Sequence, residues 1–117
     1  MTVKLAPCPD QPSCVSSQST DAKNFIEPFP YKDSLEQTRV DLVAAIESMM
    51  RSTIVTIEER YIRAEFRSAL FRFVDVFECY LDDAVGVVHV RSSSRVGHYD
   101  MGVNRRRIEK MRTLYEA

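Results

Sequence analysis

Hydrophobic residues along this chain fall into two helical stripes and four strand-like runs, preceded by a segment with no period. Leu35, Thr38, Leu42, Ala45, Ile46 and Met49 recur at the 3.6-residue spacing of one helix face. Ser34 opens Ser-Leu-Glu-Gln, a capping-box pattern with Gln37 at the third helical position. The spacing predicts a helix over about 34–51, with Met49 and Met50 as core filling. TIVTIE at 53–58 is β-branched. YIRAEFRS at 61–68 alternates, with Ile62, Ala64 and Phe66 on one face and Tyr61, Arg63, Glu65 and Arg67 on the other. RFVDVFECYLD at 72–82 alternates again: Phe73, Phe77, Cys79 and Leu81 share a face, and Asp75 falls among them. DDAVG turns the chain into VVHVRS, a fourth strand. Short connections predict antiparallel pairing. VNRRRIEKMRTLY is a second helix, with Ile108, Met111, Leu114 and Tyr115 as its apolar stripe and Asp100 as the expected N-cap before it.

The segment through EPFPYKD holds all five prolines, which fix φ and remove donors, so regular structure is not expected there. Val15, Phe25, Ile26, Phe29 and Tyr31 are poor choices for a solvated tail. The reading is an irregular segment, 1–33, lying on a single α+β domain, 34–117. That domain is a four-stranded antiparallel sheet with two helices packed on one face.

Composition changes this picture little. The 117 residues suit one domain, and 44% hydrophobic with 28% charged is ordinary for a globular chain. No apolar run approaches the ~20 residues of a membrane span. MTVKLAPCPD has no secretory apolar stretch, so the default expectation is a cytoplasmic protein. Charge is uneven. Residues 1–90 carry nine basic and fourteen acidic side chains, and residues 91–117 carry seven and three. Such asymmetry marks either an acidic partner or neutralisation within the fold.

The chemistry concentrates in RSSSRVGHYDMGVNRRR, 91–107, with five arginines and two of the three glycines. Asn104 and Arg107 precede Ile108 and Met111 by four residues and so sit on or beside the buried stripe. Asp75 points inward by alternation, and a buried carboxylate is costly unless paired. Arg107 is its natural partner, because the guanidinium fork matches carboxylate geometry. Arg91 and Arg95 are further candidates, and the register of the fourth strand leaves the direction of Arg91 open. Arg91, Ser94, Arg95, Asp100, Asn104, Arg107 and Asp75 therefore form the candidate binding set. It is expected to be a structural network first, and a phosphate or carboxylate site second, with Gly97 and Gly102 giving backbone freedom near a helix N-terminus.

Other chemistries rank lower. Arg105, Arg106, Lys110 and Arg112 read as a solvated basic helix face, and no interleaved aromatics offer nucleic acid a stacking platform. Zinc would need ligands that His89 and His98 do not supply at a recognised spacing, and no cofactor motif stands in the chain. No local motif supports a Cys or Ser nucleophile with His98, and no catalytic residue is assigned. Cys8 and Cys14 form a disulfide in an oxidising compartment and stay reduced in the cytosol, while Cys79 is a core thiol. The sheet face away from the helices is expected to carry Ile54, Tyr61, Val74, Val76 and Tyr80 with Arg63, Glu65 and Arg67. It is a surface for a protein partner or for self-association. The reading is a non-enzymatic binding or assembly module, with small-anion binding as the alternative.

PCPDQPSCVSSQ at 7–18, LFRFVDVFECYLD at 70–82 and HVRSSSRVGHYDMGVNRRRIE at 89–109 resemble the family known as domain of unknown function 1499. The resemblance covers nearly the whole chain. It rests on proline-flanked paired cysteines near the start and on Arg-Ser-x-Ser-Arg-x-Gly-x-x-Asp-x-Gly-x-Asn-x-x-Arg near the end. Ser13 stands where the family usually has Asn, and Val76 where a second acid usually follows Asp75, which argues against an Asp-Asp metal site. The resemblance implies bacterial or plastid relatives, many with a leader or membrane anchor, and hence a periplasmic or plastid setting as well as a cytoplasmic one. It implies no particular activity.

Overall fold

The computed structural model describes residues 5–68, 73–95 and 101–117. The helices form where the apolar stripes run. α1 spans Leu35–Glu47 and α2 spans Val103–Glu116. Ser34 caps α1 by accepting from Gln37 N, while the Gln37 side chain turns along the helix to Asp41. The helix ends at Glu47, before the turn that carries Met49 and Met50. Arg51, at φ 60, then bends the chain into the sheet.

The sheet has six strands, not four. β1 (Cys14–Ser16) and β2 (Phe29–Pro30) come from the segment read as irregular, followed by β3 (Ser52–Ile57), β4 (Tyr61–Arg67), β5 (Val74–Asp82) and β6 (Val87–Ser94). β3 to β6 form the expected antiparallel meander, in the order β1-β6-β5-β4-β3. β1 pairs Arg91–Ser93, and β2 pairs Val87–Val88, so two short strands share the outer edge of β6. Proline content hid them, because a strand at an edge needs few of its own donors.

Both helices lie on one face. That face carries Ile62, Ala64, Phe66, Phe77, Cys79, Leu81, Val88 and Val90, packed with Leu42, Ile46, Ile108, Met111 and Tyr115. Val15, Ile26 and Phe29 of the N-terminal segment are buried in the same core. Four placements differ from expectation: Met50 is exposed rather than core filling, Leu114 is exposed rather than buried in its stripe, and two concern the sheet. Ile54 pairs with Ala64 and packs on the helix side, and Phe73 lies before β5 and is exposed. A bulge between Ile54 and Thr56 shifts the register of β3.

Candidate functional site

The register of β6 against β5 divides the candidate residues between the two faces of the sheet. Ser92 stands opposite Phe77 and Ser94 opposite Asp75, while Arg91 stands opposite Glu78. Alternation then sends Ser92 and Ser94 under α2, and Arg91 to the open face. The expected single cluster is two.

The cluster under α2 is closed and polar. Arg107 meets Asp75 at 2.8 Å, with only 12% and 13% of the two side chains exposed. Arg107 Nη1 also donates to Asn104 Oδ1 at 2.9 Å, and the guanidinium lies 4.8 Å from the Phe66 ring centre. Asn104 is fully buried. Its amide donates to Ser13 O and Ser94 Oγ, and its oxygen accepts from Ser92 Oγ at 2.6 Å. One asparagine thereby ties α2 to β6 and to the residue before β1. A buried amide with all these partners costs little to bury, and with any one removed it is expensive.

The helix carrying Asn104 and Arg107 starts at Gly102, at φ 78. A Cβ there would sit 2.9 Å from Arg106 Nη1 as well as in a left-handed conformation. The N-cap is thus Gly102 rather than Asp100. Asp100, Gly97 and His98 lie outside the described residues.

The open face carries a second ionic array. Glu78 accepts from the Tyr61 hydroxyl and lies 3.6 Å from Arg91 and 3.9 Å from Arg63. Arg95 meets Glu65 at 2.8 Å, and Arg67 approaches the same carboxylate at 3.9 Å. Burial, and then the bond to Glu78, push the Tyr61 phenol up to about 12. Burial lowers Arg91 from its usual value against the pull of Glu78. Arg91 Nη2 reaches Pro7 O, and its Nε is buried with no acceptor. The N-terminal segment therefore covers one end of this face, where Cys14 and Ser16 are buried. Cys8 and Cys14 are joined by a disulfide that closes this stretch. Leu5, Pro7, Cys8, Ser16, Gln18 and Asn24 line a concavity of about 520 Å³ there.

The basic face of α2 is not wholly solvated. Arg105 donates to Phe25 O and Lys23 O, and Arg112 to Pro28 O and Glu27 O. The carbonyls of a proline-rich segment have few ladder partners, so arginine side chains satisfy them. Tyr115 does the same at Pro30 O. Sequence spacing placed Arg105 and Arg112 away from the stripe but could not show that the segment at 23–30 crosses in front of them. Glu65 and Tyr61 were missed as partners because they alternate to the face whose register was open.

A family model matches residues 4–114, which is nearly the whole chain. The chain belongs to that family, described as Protein of unknown function (DUF1499). No curated protein matches this DUF1499 chain. Among the described residues, no three His, Cys, Asp or Glu side chains converge as metal ligands would, and no helix is long and apolar enough to cross a membrane. The Cys79 thiol is fully buried and pushed up to about 12, so it is not a poised nucleophile. What the two clusters can do chemically is hold the N-terminal segment, α2 and the sheet in one arrangement. They also present a charged and aromatic outer face. Over the Arg107–Asp75 pair, Arg51, Arg67, Arg106 and Lys110 rim a groove of about 350 Å³.

Proposed function

We propose that this DUF1499 chain is a non-enzymatic binding or assembly module whose open sheet face meets a protein partner. One observation carries the reading: each of the five arginines of 91–107 is engaged by the protein's own groups. Arg91 meets Glu78, Arg95 meets Glu65, Arg105 meets backbone carbonyls, Arg106 meets Met101 O, and Arg107 meets Asp75. A site built to take an anion would hold such charges in reserve. The open face offers what a partner uses: Tyr61 and Tyr80 flank a mostly apolar concavity of about 460 Å³ with Glu58, Glu59 and Arg60 at its rim. Aromatic anchors ringed by charge are typical of interface cores.

A photo-crosslinking residue at Arg60, beside the tyrosines, tests this in cells. Expected are defined protein adducts that the same residue at Leu114, on the helix side, does not give. Equal or absent adducts at both positions count against the module.

The basic groove over Asp75 favours a second reading, small-anion binding, because Arg51 and Lys110 have no ion-pair partner among the described residues. The module reading expects phosphate, sulfate and simple carboxylates to move the melting temperature only as general salts do. A saturable rise, lost in Lys110→Gln or Arg51→Gln, supports the anion instead. At about a hundred times Kd a ligand stabilises by roughly 2.7 kcal/mol, which a melt resolves.

A further inference from the structure

The two edges of the sheet are treated differently. The outer edge of β6 is covered by β1 and β2, whereas nothing among the described residues pairs the outer edge of β3. β3 reads Ser-Thr-Ile-Val-Thr-Ile, with neither charge nor proline. Free edges in monomers usually carry one or the other, because unpaired N–H and C=O groups recruit further strands. Beside β3 the outer flank of α1 is also bare. One side of α1 turns toward Leu114 and Tyr115 of α2. The other side, with Arg39, Val40, Val43 and Glu47, borders a concavity of about 320 Å³ together with Ile57. Val40, Val55 and Ile57 are 54%, 52% and 53% exposed.

We propose that a second copy of this chain occupies this edge. β3 runs antiparallel to β3 of the partner subunit, and α1 lies beside α1, across a two-fold axis near Val43. The flank is self-complementary in charge. Four residues before Val43 stands Arg39, and four after it stands Glu47. A two-fold axis at Val43 therefore sets Arg39 opposite Glu47 of the partner subunit, twice, with Val40 and Val43 between them. Arg39 spends one donor on Glu59 O, which leaves others for that carboxylate. Among the described residues Glu47 has no ion-pair partner.

The strand agrees with the helix about where the axis falls. Ser52 Oγ donates to Ile46 O and Met49 O, so the start of β3 lies level with the end of α1. Rises of about 1.5 Å per helical residue and about 3.3 Å per strand residue then put Val43 level with residues 53–54. One axis centres both contacts. The bulge between Ile54 and Thr56 limits the paired stretch, so the helices share the interface. Because the opposite edge is already covered by β1 and β2, pairing through β3 uses the free edge of each copy. The assembly closes at two.

Sedimentation velocity of the full chain over a concentration series reads the assembly, with circular dichroism confirming that each variant folds. The expected result is a reversible dimer. Glu47→Arg weakens it about ten-fold or more by placing like charges across the axis, and Arg39→Glu combined with Glu47→Arg recovers most of the loss. Tyr80→Glu, on the open face, leaves the dimer intact, which keeps this contact distinct from the partner surface proposed above. A monomer at every concentration overturns the proposal. So does a dimer indifferent to Glu47→Arg, one not rescued by the charge swap, or one abolished by Tyr80→Glu.

Discussion

Arg106 and Arg107 are neighbours with opposite fates. Arg106 is exposed and touches a backbone carbonyl, whereas Arg107 is nearly buried against Asp75. Truncating one member of a buried pair leaves the other charge uncompensated, so Arg107→Ala should cost about 3–5 kcal/mol. Arg106→Ala should cost under about 0.5 kcal/mol, as exposed substitutions do. Urea melts of the two variants make the comparison, and equal small losses would remove the ion pair from the stability argument. His89 offers a pH test. Its Nδ1 lies 3.1 Å from Ser17 Oγ, and burial lowers its pKa despite the opposing charge of Asp82. The unfolded chain therefore binds the proton first. This contribution is complete above the unfolded value of about 6.5 and is lost as pH falls from there to the lower folded value. Stability should drop on acidification from pH about 7.5 to about 5.5, and His89→Gln should show a shallower slope. Parallel slopes would mean that other groups carry the whole dependence.

Among the elements, the N-terminal segment gains most from the fold. It is held by its disulfide, by β1 and β2, and by Arg105 and Arg112 of α2. In the chain-entropy account a loop this short contributes about 2 kcal/mol when closed. Reduction should lower stability by that amount, measured by urea unfolding with and without reductant, and an unchanged midpoint would count against it. The arginine pins act further along the segment. Arg105→Ala with Arg112→Ala should expose the 20–30 stretch to protease before the rest of the chain, seen as early cleavage in mass-mapped digests. Uniform cleavage rates would show that β2 and Phe29 hold the segment alone.

For the whole molecule, the N-terminal segment completes the sheet and the core. Val15, Ile26 and Phe29 sit among the core residues, and Ser13 O receives the buried Asn104 amide. Removing residues 1–33 would bare the edge of β6 and orphan that amide. The truncated chain is expected to lose its cooperative unfolding transition, with calorimetry as the check. A sharp transition near that of the full chain would make the segment an accessory.

Local pattern by itself determined α1, α2 and the β3–β6 meander, because periods of 3.6 and 2 are properties of neighbouring residues. It also placed Asp75 and Arg107 on the same side, since each is read against the apolar stripe of its own element. The family match spans residues 4–114 and so takes in both the paired cysteines and the 91–107 run. Tertiary structure decided the rest. The register of β6 sent Arg91 and Arg95 to one face and Ser92 and Ser94 to the other. A one-residue slip would exchange them, and it would also turn Val88 and Val90 out of the core that only the folded sheet and helices build. β1 and β2 exist only because β6 offers an edge, so no periodicity could announce two- and three-residue strands among prolines. The backbone carbonyls that Arg105 and Arg112 reach lie eighty or more residues away. A carbonyl carries no sequence signature, and only the folded chain brings it within reach.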